Sequence, residues 1–142
     1  MASFKVVTHP LKNIGSCSDP LQPNCSNCNK CHAKSLHCLP YLQQLVREDA
    51  WKYLNFTRRT KPTLEKFGWN HEDVKLALLK LSTNNFQKTV VNCRVTEFEG
   101  IDFVDADQYS LYWDGAYLSV KIAFVEDEGE FTGLVTFHSS GS

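Results

Sequence analysis

The sequence predicts an α+β domain over residues 39–142, with two or three helices packed on one face of a twisted antiparallel sheet. A cysteine-rich segment over residues 1–38 precedes it. Three observations predict this arrangement. Apolar residues recur at helical spacing between Pro40 and Leu81 and alternate with polar ones from Thr89 onward, while five of the six cysteines fall before Leu39. Helices followed by consecutive strands make an α+β order rather than an alternating βαβ one.

Residues 1 to about 38 are punctuated by Gly15, Pro20, Pro23 and many Ser and Asn, and read as irregular apart from a short strand at Lys5-Val6-Val7. Leu42, Leu45 and Val46 define a first amphipathic helix ending near Asp49. Thr60 reads as the N-cap of a short second helix, with Pro62 in its first turn and Gly68 as its stop. Asn70 and Asp73 form a capping box for a third, whose stripe is Val74, Ala77, Leu78 and Leu81. Strands follow at Thr89 to Val95, Gln108 to Tyr112, Tyr117 to Val125 and Phe131 to His138. Asp114-Gly115 is a two-residue hairpin signal, and Glu126 to Glu130 is a charged turn.

The composition is that of a globular chain, with 42% hydrophobic and 22% charged residues. No apolar run is long enough to span a bilayer and none follows Met1 in the manner of a signal peptide, so a cytoplasmic protein with no membrane partner is expected. The net charge of −1 hides an asymmetry. Through Arg94, 14 Lys and Arg stand against 6 Asp and Glu; beyond it, Lys121 alone stands against 10. The basic half suits a polyanion such as RNA and the acidic half a basic partner, although two solvated faces of opposite sign would give the same counts.

Alternation sorts the strand side chains between two faces. Leu118, Val120, Ile122 and Phe124 share the face that should rest on the helices. A tight Asp114-Gly115 turn pairs Tyr112 with Tyr117, Ser110 with Ser119 and Gln108 with Lys121 on the other face. If the acidic turn sets Thr136 opposite Lys121, His138 falls opposite Ser119. A polar patch of Gln108, Tyr112, Tyr117, Ser119, Lys121, Thr136 and His138 results. Such a patch has what metal-independent RNA cleavage needs. A histidine moves protons near neutral pH, a lysine holds the phosphorane charge, and tyrosines stack on bases. Lys88 is a second candidate cation. A solvated sheet surface would also carry Lys, Ser and Thr.

From Pro40 to His138 the chain resembles the MqsR toxins, ribosome-independent ribonucleases of RelE-like fold. The resemblance runs through Tyr41 to Val46, Asn55-Phe56-Thr57-Arg58-Arg59, Leu64 to Trp69, Leu79 to Ser82, Asn85-Phe86-Gln87-Lys88, Asp107-Gln108-Tyr109, Gly115 to Ile122 and Val135-Thr136-Phe137-His138. It implies functional roles for Lys88, for Lys121 and for His138, which stands where the family has lysine. Gln108 matches a glutamine implicated there, and Arg58 and Arg59 a basic element. Gln87 and Ser119 replace family tyrosines, with Tyr117 on the same face as Ser119. The resemblance implies an endoribonuclease toxin acting on mRNA and a cognate antitoxin that neutralises it, for which the acidic stretch from Glu97 to Asp107 is a candidate surface. The expected catalytic set is Lys88, Lys121, His138, Tyr117 and Gln108, with Arg58, Arg59 and Tyr112 binding RNA.

Cys25, Cys28, Cys31 and Cys38 have the close spacing of a four-thiolate zinc site, in which Cys17, His32 or His37 could substitute for one member. Cys-x-x-Cys-x-x-Cys also occurs in iron–sulfur ligation, and a thiol-rich arm binding nothing is the plain alternative. A secreted disulfide scaffold would spread its cysteines through the fold. Cys93, inside a strand, reads as a small hydrophobe. The competing class to an enzyme is a zinc-containing RNA- or protein-binding module on the same scaffold. With zinc on the four thiolates, the purified chain is expected to be colourless and to carry stoichiometric zinc by emission spectrometry, lost in Cys28→Ser. A brown, iron-containing protein, or one with all thiols titrating and no metal, would exclude it.

Overall fold

The computed structural model describes residues 5–6, 35–37, 39–48, 54–96, 100–127 and 130–139. The elements are β1 (Lys5–Val6), α1 (Leu39–Arg47), β2 (Leu54–Phe56), α2 (Thr60–Phe67), α3 (His71–Lys80), a 3-10 turn (Thr83–Asn85), β3 (Phe86–Arg94), β4 (Phe103–Trp113), β5 (Ala116–Asp127) and β6 (Glu130–Ser139). This is the α+β order that the sequence predicts. Cys17, Cys25, Cys28, Cys31, His32 and Cys38 lie outside the described residues.

The sheet runs β2-β6-β5-β4-β3, with β1 paired to the far end of β5. Strands β3 to β6 form the expected antiparallel meander. The expectation of a wholly antiparallel sheet is corrected at one edge, where β2 runs parallel to β6. Two strands joined through α2, α3 and three further strands are under no hairpin constraint, so the parallel direction is open to them. Asp114 (φ 48°) and Gly115 (φ 80°) both take positive φ, the type I′ geometry whose twist suits a two-residue hairpin.

The helix-facing side holds the main core. Leu42, Leu45 and Val46 of α1 and Val74, Ala77 and Leu78 of α3 pack on Leu118, Val120, Ile122 and Phe124 of β5 and on Val135 and Phe137 of β6. The amide of buried Gln43 donates to the Leu78 and Leu81 carbonyl oxygens at 3.0 and 2.9 Å, which ties α1 to the C-terminal turn of α3. The Asn70–Asp73 capping box forms as its spacing predicts.

Thr60 is not the N-cap of α2; Arg59 is, and it makes no side-chain cap. The Thr60 hydroxyl has another task. Strand β2 stops at Phe56, so the edge of β6 beyond Val135 would be left without a partner strand. The Phe137 amide donates instead to Thr60 Oγ1 at 3.0 Å, and the Ser139 amide to Thr63 Oγ1 at 3.3 Å. Helix α2 thus completes the sheet edge with two hydroxyls.

Asp107 is fully buried on the helix side of β4, so it cannot belong to an exposed acidic surface, as the sequence suggested for the stretch ending there. Its carboxylate accepts from the amides of Leu36 (2.9 and 3.0 Å) and His37 (2.7 Å) and from the Thr89 hydroxyl (3.1 Å). His37 is buried against Phe124, and its Nε2 donates to the Asp105 carbonyl oxygen at 2.8 Å. Its Nδ1 is buried with no hydrogen-bond partner among the described residues. Burial therefore pushes the imidazole below its usual pKa, although Asp107 pulls the other way. Burial likewise pushes the Asp107 carboxyl up, against the pull of His37 and the three donors.

A histidine held below its unfolded pKa stabilises the fold most above that value, and the contribution is lost as pH falls through the folded value. Asp107, held above its unfolded value, contributes the opposite slope, so the histidine's part is read as a difference: in urea denaturation, lowering the pH from 7.5 to 5.5 is expected to disfavour the wild type relative to His37→Leu. Asp107→Ala strands three donors and should cost about 2–4 kcal/mol in the same measurement at pH 7.5.

Candidate functional site

Because β5 is paired on both sides, its alternation decides which residues meet on the side away from the helices. Tyr112 pairs with Tyr117, Ser110 with Ser119, Gln108 with Lys121, Lys121 with Thr136, and Ser119 with His138, the register that alternation predicts. Lys88 pairs with Gln108. One row therefore crosses four strands as Lys88, Gln108, Lys121 and Thr136. It continues to Thr57, whose hydroxyl lies 2.8 Å from that of Thr136. His138 lies diagonally from Lys121, with backbones on the order of 7 Å apart.

Lys88 reaches this face through a β-bulge. Phe86 pairs with Tyr109 and Lys88 with Gln108, so β3 has one residue too many at Gln87. In unbroken alternation Phe86 and Lys88 would share a face. The extra residue sends Phe86 to the core, edge-on to Tyr109 at 5.7 Å, and Lys88 to the open side.

A second bulge lies between Val90 and Cys93. Asn92 there has φ 55°, and its amide donates to Asp105 Oδ1 at 2.9 Å. Asparagine tolerates this left-handed geometry better than most residues. The β4–β5 ladder ends at Asp107 and Ile122, after which β1 takes up the free edge of β5. Val95 and Ile101, beyond the bulge, close over Val104, Ala106, Ala123, Val125 and Leu134 as a second apolar cluster on the open side.

Between this cluster and the polar row lies a cleft of about 550 Å³. Arg58, Arg59, Arg94 and Lys121 line it with Thr57 and Thr136, and no carboxylate is among the described residues that do so. Arg58 and Arg59 come from the turn between β2 and α2, Arg94 from the end of β3, and Lys121 from the middle of β5. Cys93 sits in the cleft half-buried, as its reading as a small hydrophobe allows. Burial raises its thiol pKa, while Lys121 and Arg59 draw it down.

The structure thus brings Arg58, Arg59 and Lys121 together, and sets Lys88 and Gln108 in the row that ends at the cleft. Tyr112, Tyr117 and His138 share the open face but do not line the cleft. Tyr112 and Tyr117 are exposed near the β4–β5 turn with ring centroids 6.4 Å apart. Arg94 and Asn92 also line the cleft and were not singled out in the sequence. The signal was plain alternation along β3, in which Lys88, Val90, Asn92 and Arg94 have the same parity. No group of three or more His, Cys, Asp or Glu that could hold a metal occurs among the described residues. None of their helices is long and apolar enough to cross a membrane.

Comparison with protein families, curated proteins and solved structures finds no match for this chain.

At neutral pH the raised pKa keeps Cys93 a thiol. Its reaction with a neutral maleimide is expected to be slower than that of free cysteine, and to approach the free rate in urea. A fast reaction in the native state would mean that the thiolate is populated.

Proposed function

We propose that the chain is an endoribonuclease toxin of the MqsR kind, RelE-like in fold, which cleaves mRNA on the open face of its sheet and is neutralised by a cognate antitoxin. The observation that carries the reading is the register row Lys88, Gln108, Lys121 and Thr136 with His138 diagonal to it. Two cations, a neutral amide and a proton-transfer group on one solvent-facing surface are the parts that 2′-hydroxyl attack requires. The resemblance of residues 40–138 to that family points independently to the same residues. The RelE-like part is supported by helices on one side of an antiparallel meander, and the antitoxin by the resemblance alone.

In this reading the RNA phosphate lies over Lys121. The 2′-hydroxyl loses its proton as its oxygen bonds to phosphorus, and the 5′-oxygen leaves with a proton, giving a 2′,3′-cyclic phosphate. His138 moves the proton. Lys88 and Lys121 offset the charge on the non-bridging oxygens, and the Gln108 amide donates between them. Tyr117 and Tyr112 offer flat surfaces for bases, and Arg58 and Arg59 hold the backbone on the other side of Lys121. Zinc on Cys25, Cys28, Cys31 and Cys38 belongs to the reading as a structural ion, on the strength of thiolate spacing.

A second reading, RNA binding without cleavage, is favoured by one observation: the cations gather at the cleft, which His138 does not line. The deciding experiment incubates the purified protein with a long RNA in EDTA. Cleavage leaving 2′,3′-cyclic phosphate ends is expected, reduced roughly 10²–10⁴-fold in His138→Ala and about 10²–10³-fold in Lys121→Ala. Intact RNA beside a folded protein that shifts it in a gel would establish the binding module instead.

A further inference from the structure

We infer that the cleft beneath the second β3 bulge is a nucleotide subsite, in which one base of single-stranded RNA turns out of its stack and inserts while the adjoining phosphate stays at the rim. This rests on the RNA reading above and adds to it the place where sequence is selected.

The argument is the two-part chemistry of the cleft. Its rim is cationic: Arg59, Arg94 and Lys121 arrive from three different elements, with Arg58 beside them. The floor is apolar, made by Val90, Val104, Ala106, Ala123 and Leu134. An inorganic anion would use the rim and leave the floor bare. A nucleotide uses both, because a base presents a flat apolar surface and its phosphate a charge. The volume of about 550 Å³ lies within the range of roughly 300–1,000 Å³ usual for small-ligand sites.

Hydrogen-bonding groups stand where a base edge would need them. Asn92 lines the cleft, its main chain held by the Asp105 bond. Thr57 and Thr136 line it too and share a hydrogen bond. Thr60 also lies near Thr57, at 3.4 Å, and its own hydroxyl reaches the Val135 carbonyl oxygen. When Thr57 donates to Thr136, the hydroxyl hydrogen of Thr136 is left to point toward a ligand. An amide and a hydroxyl lining one cleft can discriminate among bases by their donor and acceptor patterns, as proteins that read single-stranded RNA do.

The location connects this subsite to the chemistry. Lys121 and Thr136 line the cleft and also end the row that holds Lys88 and Gln108. A nucleotide seated there is next in the strand to a phosphate over Lys121. Four residues along β5, about 13 Å away, Tyr117 stands with Tyr112. The cleft and the tyrosine pair thus flank the reactive row on opposite sides.

The test titrates methyl-labelled protein with inorganic phosphate, with each of the four nucleoside 5′-monophosphates, and with a 2′-O-methyl oligonucleotide that cannot be cleaved. The inference expects at least one monophosphate to bind tenfold or more tightly than phosphate. Its shifts should centre on the methyls of Val90, Val104, Ala106 and Leu134, and the oligonucleotide should move the same methyls. Arg94→Ala should weaken monophosphate and oligonucleotide tenfold. Ala106→Leu, which fills the floor, should abolish the advantage over phosphate; a melting curve shows whether it is folded, and Arg94→Ala carries the test if it is not. Equal binding of phosphate and all monophosphates, shifts confined to the Tyr112–Tyr117 end, or no binding at all would overturn the inference. Nucleotide binding in the cleft without RNA cleavage would sustain the subsite and sink the ribonuclease.

Discussion

Strand β5 is the constraint on which the rest of the structure depends. It is paired along most of its length to β4 on one side and β6 on the other, so its register is fixed twice. Leu118, Val120, Ile122 and Phe124 must be buried, and their burial forces Tyr117, Ser119 and Lys121 to the opposite side. A slip of one residue would put Lys121 into the core and four large apolar side chains into water. At roughly 25 cal/mol per Å² of apolar surface, that exchange is far beyond what a small domain can tolerate. The position of Lys121 is therefore a by-product of hydrophobic burial, and the residues opposite it inherit their places from the same source.

This explains what was legible in the sequence. Alternation and an Asp-Gly turn are local signals, and they were enough to bring Gln108, Lys121, Thr136, Ser119 and His138 into register. The helices were equally local, since the Asn70–Asp73 box and the Gly68 stop each lie within a few residues of what they terminate. The unreadable features depend on distant partners. Thr60 looked like a cap because Ser and Thr favour that position, and it acts instead on an amide 77 residues away. Asp107 looked like one acidic residue in an exposed run, and only the amides of Leu36 and His37 explain its burial. The direction of β2 depends on a crossover that no short pattern encodes.

The bulges in β3 are the most consequential of these features. The first turns Lys88 toward the row, and the second sets Cys93 rather than Asn92 opposite Val104 at the cleft. Each inserts one residue into an edge strand, where a broken ladder costs least and also discourages pairing with another chain. They resolve the charge asymmetry of the sequence too. Lys121, the single cation after Arg94, lies in the same cleft as three arginines from the basic half. The two halves are thus not simply faces of opposite sign, since the basic half supplies most of one site and the acidic half supplies the strand on which it is built.

Asp107 and Gln108 are consecutive residues with opposite allegiances. Asp107 faces inward and grips the backbone at Leu36 and His37, near the end of the cysteine-rich segment. Gln108 faces outward and spaces Lys88 from Lys121. A single peptide unit therefore separates the anchorage of the N-terminal segment from the middle of the polar row. The segment is moored to the strand that sets the distance between the two lysines, so a load applied at His37 is borne by the same few ångströms of β4 that keep those charges apart.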